Sequence, residues 1–300
     1  MLGDLMLDVV IAPDRVLETG SDVPGRVSLL QGGSAANTAR WVARLGARSS
    51  LICAVGRDAA GRALLDAVRE DDVMPRAMRV AGARTGRIGV LVAPGGERSF
   101  VADRGAADAL APGDLRAAWF RAADALHLPA YSLLGEPLGS AGRRAVTLAR
   151  DAGAMVSVDL ASIVPLLADG RRAARALMEA VAPDLLFATA AEAEALLGRH
   201  AVDGLLDLAP TAVIKRGAKG ATVLAREGTE RLRFEVATQH VPATDSTGAG
   251  DAFDAGFLVG WFAARAAGRS LPASLQRAAL AGHRAAARQL TTPRAELTLA

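Results

Sequence analysis

Apolar and polar positions alternate along this chain in two rhythms. Short apolar runs at residues 51–55, 125–128, 155–160, 185–188 and 212–215 each end in a turn or a charged residue. Stretches with the three-to-four-residue spacing of an amphipathic helix lie between them. Helices are predicted through Trp41, Val42 and Leu45 to a cap at Gly46, through Leu64, Leu65 and Val68, over 140–152 and 171–181, over 191–196 to Gly198, and over 272–289. Strand, loop and helix in repetition are the unit of a parallel sheet covered by helices. The start of the chain reads as the end of one strand, a turn at Gly3-Asp4, and a second strand. Either that first strand is short or its apolar residues lie upstream of Met1.

Residues 84–103 break the rhythm. Runs at 88–92 and 99–102 flank Pro94-Gly95-Gly96-Glu97, the pattern of a β-hairpin. A lone hairpin is marginal in water, so it is expected to pair with the extended pieces of 9–31. Such a small sheet would act as a flap that covers a substrate and excludes water. A second hairpin is predicted from 221–225 and 231–236. No internal repeat or long linker is present, so residues 1–300 read as one α/β domain with a lid built from inserted segments 9–31 and 84–104.

The strongest local signal is Thr244-Asp245-Ser246-Thr247-Gly248-Ala249-Gly250-Asp251-Ala252-Phe253. Phe253, Phe257 and Trp261 recur every four residues behind it, the mark of a helix with one buried face. The glycines stand where the chain enters that helix. First-turn amides have no internal partner and carry the positive end of the dipole, and glycine lets a phosphate approach them. Asp251 then sits in the first turn beside an anion hole, the placement of a general base for an attacking hydroxyl. The plainer alternative is that Asp245 or Asp251 merely caps a helix behind a loop.

Composition narrows the function classes. Hydrophobic residues at 51% and charged residues at 22% give ample material for a core, and aromatics at 4% leave it to Ala, Leu and Val. The net charge of +3 is small, and no basic tract is interleaved with aromatics, so nucleic acid is not an expected partner. The pI near 9.7 overstates basicity, because few groups titrate above neutrality. The single Cys53 lies in an apolar run and reads as a small buried hydrophobe, which fits a reducing compartment. No apolar run approaches the roughly 18 residues of a membrane span, and Asp4 argues against a signal peptide. A cytoplasmic location with no membrane partner is the expectation.

Ligands of open α/β sheets bind beyond the carboxyl ends of the strands. Asp4, Gly56, Asp58, Asp159, Glu192, Lys215 and Asp251 all follow predicted strands and should share one rim. The 244–253 stretch resembles the second signature of the ribokinase-like (PfkB) sugar kinases, Asp-Thr-Thr-Gly-Ala-Gly-Asp, with Ser246 as its one departure. Gly32-Gly33-Ser34-Ala35-Ala36-Asn37 resembles the first signature of the same family. Gly3-Asp4 with Asp8, Gly56-x-Asp58-x-x-Gly61 and Lys215-Arg216-Gly217-x-x-Gly220 stand where that family places them.

The resemblance implies a three-layer sandwich with a mostly parallel central sheet and a small β-sheet lid. It implies an ATP-dependent sugar kinase with Asp251 as base and the amides of Gly248, Ala249 and Gly250 as anion hole. Asp8, Gly32, Gly33 and Asn37 would bind the sugar. ATP would lie against Lys215, Gly217, Gly220, Thr247, Gly248 and Gly250, with the last helix around 281–285 beside the adenine. For Lys215, contact with phosphate and a purely structural role stand as equal readings. Mg2+ would bridge the phosphates, with Glu192 ordering its water, and family members often hold K+ near the acid that is here Asp245. A homodimer through the lid edge is a further implication. Thr189 stands where the family has Asn before Glu192, and Ala107 and Ala161 replace two further Asn, so their effect on activity is an open question. His127 and Tyr131 past one strand, and Arg98, Asp103 and Arg104 at the flap, are either substrate contacts or ordinary structural residues. Rival readings are a nucleoside kinase of the same fold and a non-catalytic ligand-binding regulator. A dinucleotide-dependent oxidoreductase is disfavoured, since no Gly-x-Gly-x-x-Gly follows the first strand.

Overall fold

The computed structural model describes residues 1–199, 201–242 and 245–299. Thr244, the first residue of the glycine-rich stretch, lies outside the described residues. The amino-terminal half contains β1 (Met6–Pro13), β2 (Gly25–Gly32), α1 (Ser34–Arg44), β3 (Ser49–Gly56), α2 (Ala59–Glu70), β4 (Val73–Val80), β5 (Arg87–Val92) and β6 (Arg98–Asp103). Then come β7 (Ala125–Pro129), α3 (Leu138–Asp151), β8 (Met155–Asp159), the single turn α4 (Ile163–Leu166), α5 (Gly170–Val181), β9 (Leu185–Thr189) and α6 (Ala190–Leu197). The chain continues through β10 (Thr211–Lys215), β11 (Ala221–Glu227), β12 (Glu230–Val236), α7 (Ala249–Ala266) and α8 (Leu271–Thr291).

The central sheet runs β12-β11-β10-β9-β8-β7 on one side and β3-β4 on the other. The first residues of the chain join the halves. Leu2 donates its amide to the His127 carbonyl at 3.1 Å, and the Ile52 amide donates to the Met1 carbonyl at 2.9 Å. The expected first strand is therefore a single parallel bridge, Leu2 with Ile52. Strands β7 to β10 are mutually parallel, as are β3 and β4, while β11 and β12 form the predicted antiparallel hairpin.

Side chains alternate across this sheet because strand residues point to opposite faces in turn. Leu186 and Ala188 enter one core with Leu138, Ala141, Ala174 and Met178 of α3 and α5. Leu185 and Phe187 enter another with Phe253, Phe257, Leu275 and Ala278 of α7 and α8. Likewise Ile52 and Ala54 face the first core, and Leu51, Cys53 and Val55 face α1 and α2. Apolar side chains on both faces require helices on both faces, which makes three layers.

A second, four-stranded sheet stands apart, in the order β2-β1-β5-β6. It contains the predicted hairpin and the extended pieces expected to pair with it. Strand β4 was not predicted, because Pro75, Arg76 and Arg79 interrupt its apolar pattern. No helix among the described residues is long and apolar enough to cross a membrane.

Candidate active site

Helix α7 begins at Gly248, whose φ of 78° is a left-handed conformation that suits glycine. That turn leaves the first amides of the helix without intrahelical partners. The Ala249 amide, one of the three expected anion-hole amides, bends back to the Ser246 carbonyl at 3.2 Å. Phe253 and Phe257 meet Phe187 of β9 edge-on, at 6.5 Å and 5.3 Å between ring centres. These contacts fix the start of α7 above the carboxyl ends of the parallel strands. Gln289, near the end of α8, holds the loop from the other side: it donates to the Thr247 carbonyl at 3.0 Å and accepts from the Trp41 indole at 2.8 Å.

Asp251 lies in the first turn of α7 and faces the first turn of α1. Ser34 Oγ donates to its Oδ1 at 2.7 Å, and Asn37 Nδ2 donates to its Oδ2 at 2.8 Å. The two glycine-rich stretches thus meet at one carboxylate. Burial pushes the Asp251 pKa up to about 6, the charge of Asp159 adds to that, and the Ser34 and Asn37 donors and Lys215 pull against it.

Lys215, at the end of β10, lies beneath the same loop. Its Nζ would stand 3.5 Å from a Cβ at Gly250. It pairs with Asp159 at 3.0 Å and with Asp254 at 3.1 Å. Burial works against its charge, but Asp159, Asp254 and Glu192 outweigh that and hold its pKa above the ordinary value. The ammonium is therefore already engaged by buried carboxylates. The Asp159 Oδ1 atom is buried with no hydrogen-bond partner.

Asp8 sits on β1 beside Gly32. A Cβ at Gly32 would fall 1.9 Å from Asp8 Oδ1, so only glycine leaves room for this carboxylate. Asp8 Oδ2 accepts from Arg294 at 2.6 Å, while its buried Oδ1 has no partner. Burial raises the Asp8 pKa and Arg294 opposes the rise. Arg294 also reaches Asp245 at 3.5 Å. Arg98, from the start of β6, bonds Asp245 and Thr247. A monovalent cation at Asp245 would have to displace guanidinium groups, so the residues present do not fit the K+ that the resemblance implied.

Glu192 closes a capping box with Thr189. Its Oε2 accepts from the Thr189 amide at 2.7 Å, and Thr189 Oγ1 accepts from the Glu192 amide at 3.2 Å. Threonine thus serves as the cap of this helix start. Among the described residues no group of three or more His, Cys, Asp or Glu can hold a metal ion. A divalent ion here would rely on phosphate oxygens and water for most of its ligands.

The remaining rim residues are placed as follows. Asp58 caps α2 through the Gly61 amide at 2.9 Å and also accepts from the Thr85 amide at 2.9 Å. His127 is buried against Ser157 Oγ at 2.9 Å and Phe187, and burial drives its pKa down to about 3. Gly217 and Gly220 form a one-turn loop after β10 that closes on itself at 3.0 Å. Ala285 is buried and packs against Gly256 of α7. Cys53 is buried and its thiol is pushed up to about 12, so it is no nucleophile.

Sequence reasoning missed Ser34, Arg40, Asp254, Gln289 and Arg294. Ser34 lies inside a stretch already singled out, and an Oγ three residues before Asn37 in a helix start was the available signal. Arg294, in the tail after α8, carries no local signal, because its partners Asp8 and Asp245 are distant in sequence.

A model of the pfkB family carbohydrate kinases matches residues 1–297. Probable fructokinase-2 of Arabidopsis thaliana is 30% identical over 263 residues, covering 84% of this chain and 77% of that protein. The crystal structure of adenosine kinase from Sinorhizobium meliloti superposes with a TM-score of 0.82 at 25% identity, covering 97% of this chain and 93% of that one. The fructokinase of Vibrio cholerae O395, solved with fructose, ADP and calcium, shares the fold with a TM-score of 0.77 at 24% identity, covering 97% and 92%. The chain belongs to the pfkB family of carbohydrate kinases, ATP-dependent phosphotransferases that act on a sugar hydroxyl.

Proposed function

We propose that Asp251 is the general base of a transfer from MgATP to a hydroxyl of a small free sugar. The observation that carries this is the position of its carboxylate: first turn of α7, next to Gly250, held by Ser34 and Asn37 from the other glycine-rich stretch. The acceptor O–H bond breaks with its proton passing to an Asp251 oxygen. A bond forms from that hydroxyl oxygen to the γ-phosphorus, and the bond to the β,γ-bridging oxygen breaks with its electrons leaving on ADP. The amides of Gly248 and Gly250, at the positive end of α7, stabilise charge on the phosphoryl oxygens, and Ala249 joins them once its turn to Ser246 opens. Lys215 lends its field from below rather than through direct contact.

Asp8 accepts hydrogen bonds from the sugar, with Gly32 and Gly33 giving close approach and Asn37 touching both sugar and base. Thr247, Gly217 and Gly220 border the nucleotide. Glu192 would hold a water of the Mg2+ that comes with ATP, and that ion would supply neutralisation of phosphate charge. The small sheet is the lid of a single domain spanning 1–300. The charge of Asp245 is met by Arg98 and Arg294 in place of K+. A chain with one thiol and MgATP as donor fits a cytoplasmic kinase.

The test is ADP release from MgATP over a panel of sugars, sugar acids and nucleosides, beginning with fructose because relatives at 28–32% identity are fructokinases. Turnover on a free sugar supports the reading. Turnover confined to nucleosides, or none on any acceptor, overturns it.

A further inference from the structure

We propose that Arg40 is a positioning residue for phosphoryl transfer: its guanidinium holds the carbonyl end of the Asn37 side chain, so that the amide end must face Asp251. The proposal rests on the reading of Asp251 as base.

Arg40 lies on α1, one turn after Asn37, with 7% of its surface exposed. It donates through Nη2 to Asn37 Oδ1 at 3.1 Å, through Nε to the Ala36 carbonyl at 3.3 Å, and through Nη1 to Gln31 Oε1. All three acceptors are neutral oxygens. Burying a guanidinium without a carboxylate in contact is unfavourable for stability, so its retention calls for a reason. Burial lowers its pKa to about 10, which leaves it charged at neutral pH.

The reason lies in what each group can donate. A guanidinium has donors only, and a primary amide has one oxygen and one NH2. Oxygen toward Arg40 therefore means NH2 toward Asp251, where Asn37 Nδ2 stands 2.8 Å from Oδ2. With the Arg40 side of the amide empty, the amide can turn over and set its oxygen against the carboxylate. That loses a donor and adds repulsion, both of which disfavour ionised Asp251. The other groups around Asp251 are Ser34 on α1, Tyr131 after β7, Asp159 at the end of β8, Lys215 at the end of β10 and Asp254 on its own helix α7. Among the described residues the hydrogen bond to the carbonyl end of Asn37 comes from Arg40. The chain of contacts also runs outward, since Gln31 belongs to β2 of the small sheet, so one guanidinium links that sheet to the base.

The experiment compares pH profiles of kcat for the parent, Arg40→Met and Arg40→Lys, with thermal unfolding alongside. Arg40→Met should move the acid limb upward by about one pH unit, the scale of one hydrogen bond to a charged group. Arg40→Lys, which keeps a donor facing Asn37 Oδ1, should restore most of the shift. An acid limb unmoved in Arg40→Met, with only the unfolding temperature lowered, overturns the proposal and leaves the kinase reading intact. Should Arg40→Met not fold, or the parent turn over no acceptor, NMR on the parent protein decides. The side-chain NH2 of Asn37 and the guanidinium protons of Arg40 should titrate together near pH 6. An Asn37 signal that moves while Arg40 stays still breaks the chain of contacts and overturns the role.

Discussion

Asn37 Nδ2 and Asp251 Oδ2 are 2.8 Å apart, although 214 residues of chain separate them. That contact joins the two glycine-rich stretches at one carboxylate, the group proposed above as the base. Asp251→Asn keeps the volume and removes the basicity. We expect kcat to fall by about 100-fold or more with the KM for sugar and for MgATP little changed. Steady-state kinetics within a few-fold of the parent would sink the assignment of the base.

The same carboxylate sets a pH signature. Its pKa in the folded chain is pushed up from 3.8 to about 6, and the base must be ionised to act. Activity should fall as pH drops through about 6, with a single-proton acid limb. Stability runs the other way. A carboxyl whose folded pKa is raised binds its proton more tightly in the fold than in the unfolded chain, so folding stability declines as pH rises from about 4 to about 6. At neutral pH the ionised form therefore costs the fold on the order of 1–3 kcal/mol. Asp251→Asn should unfold at a higher temperature than the parent at pH 7 and at nearly the same temperature at pH 4. Calorimetry at both pH values checks this, and a lower unfolding temperature for the variant at neutral pH would contradict it.

Asp8 and Gly32 should fail in the same way. Asp8→Ala removes an acceptor for sugar hydroxyls, and Gly32→Ala puts a methyl group 1.9 Å from Asp8 Oδ1 and forces the carboxylate to move. Both should raise the KM of the sugar far more than that of MgATP, since a polar group built to read a hydroxyl discriminates strongly. Equal effects on the two constants would argue that Asp8 serves only to hold Arg294.

Much of this could be read from the order of residues. The strand-helix alternation, both hairpins and the two glycine-rich stretches are local patterns, and local patterns survive without a structure. What stayed hidden has a physical reason in each case. Strand β4 was masked by Pro75 and two arginines, because it is an edge strand whose residues are mostly half exposed. Arg294 and Gln289 act across hundreds of residues, and nothing near them in the chain signals their partners. The choice between readings for Lys215 could not be made from its neighbours, since Asp159 and Asp254 converge on it from β8 and α7. Thr189 left the effect on activity open, and its structural part, a hydroxyl that caps α6 opposite Glu192, depends on a helix start at Ala190.

The ring of charge around Asp245 predicts how the enzyme responds to salt. Arg98 and Arg294 approach its carboxylate from the small sheet and from the tail after α8. With these cations built into the chain, replacing KCl by N-methylglucamine chloride at equal ionic strength should change kcat by no more than about twofold, under about 0.5 kcal/mol in barrier. The unfolding temperature should likewise show no preference for K+ over Na+. A large and specific activation by K+ would show that the cation displaces Arg294 during turnover. Arg294→Ala is the informative companion, because it vacates one side of Asp245 and should weaken sugar binding through Asp8 at the same time.

The outer face of the small sheet carries the last prediction. Pairing across β1, β2, β5 and β6 sets Val9, Ile11, Val27, Leu29, Leu91 and Val101 on one side, away from Asp8 and Arg98. Val9 and Leu29 pack onto the core at the base of the sheet, but the stripe continues outward with Ile11 37%, Val27 62% and Val101 76% exposed. An apolar sheet face with an open edge is a surface that a second copy of the same sheet can cover by a two-fold contact. Sedimentation at micromolar concentration should give a dimer for the parent chain, and Val27→Lys with Val101→Lys should give a monomer that still unfolds cooperatively. Neither residue touches Asp8 or Asp251, so a monomer that keeps its activity would mean the dimer serves stability alone. A monomer with a raised KM for sugar would mean that pairing holds the small sheet over the acceptor, and a parent that sediments as a monomer would leave the stripe without this role.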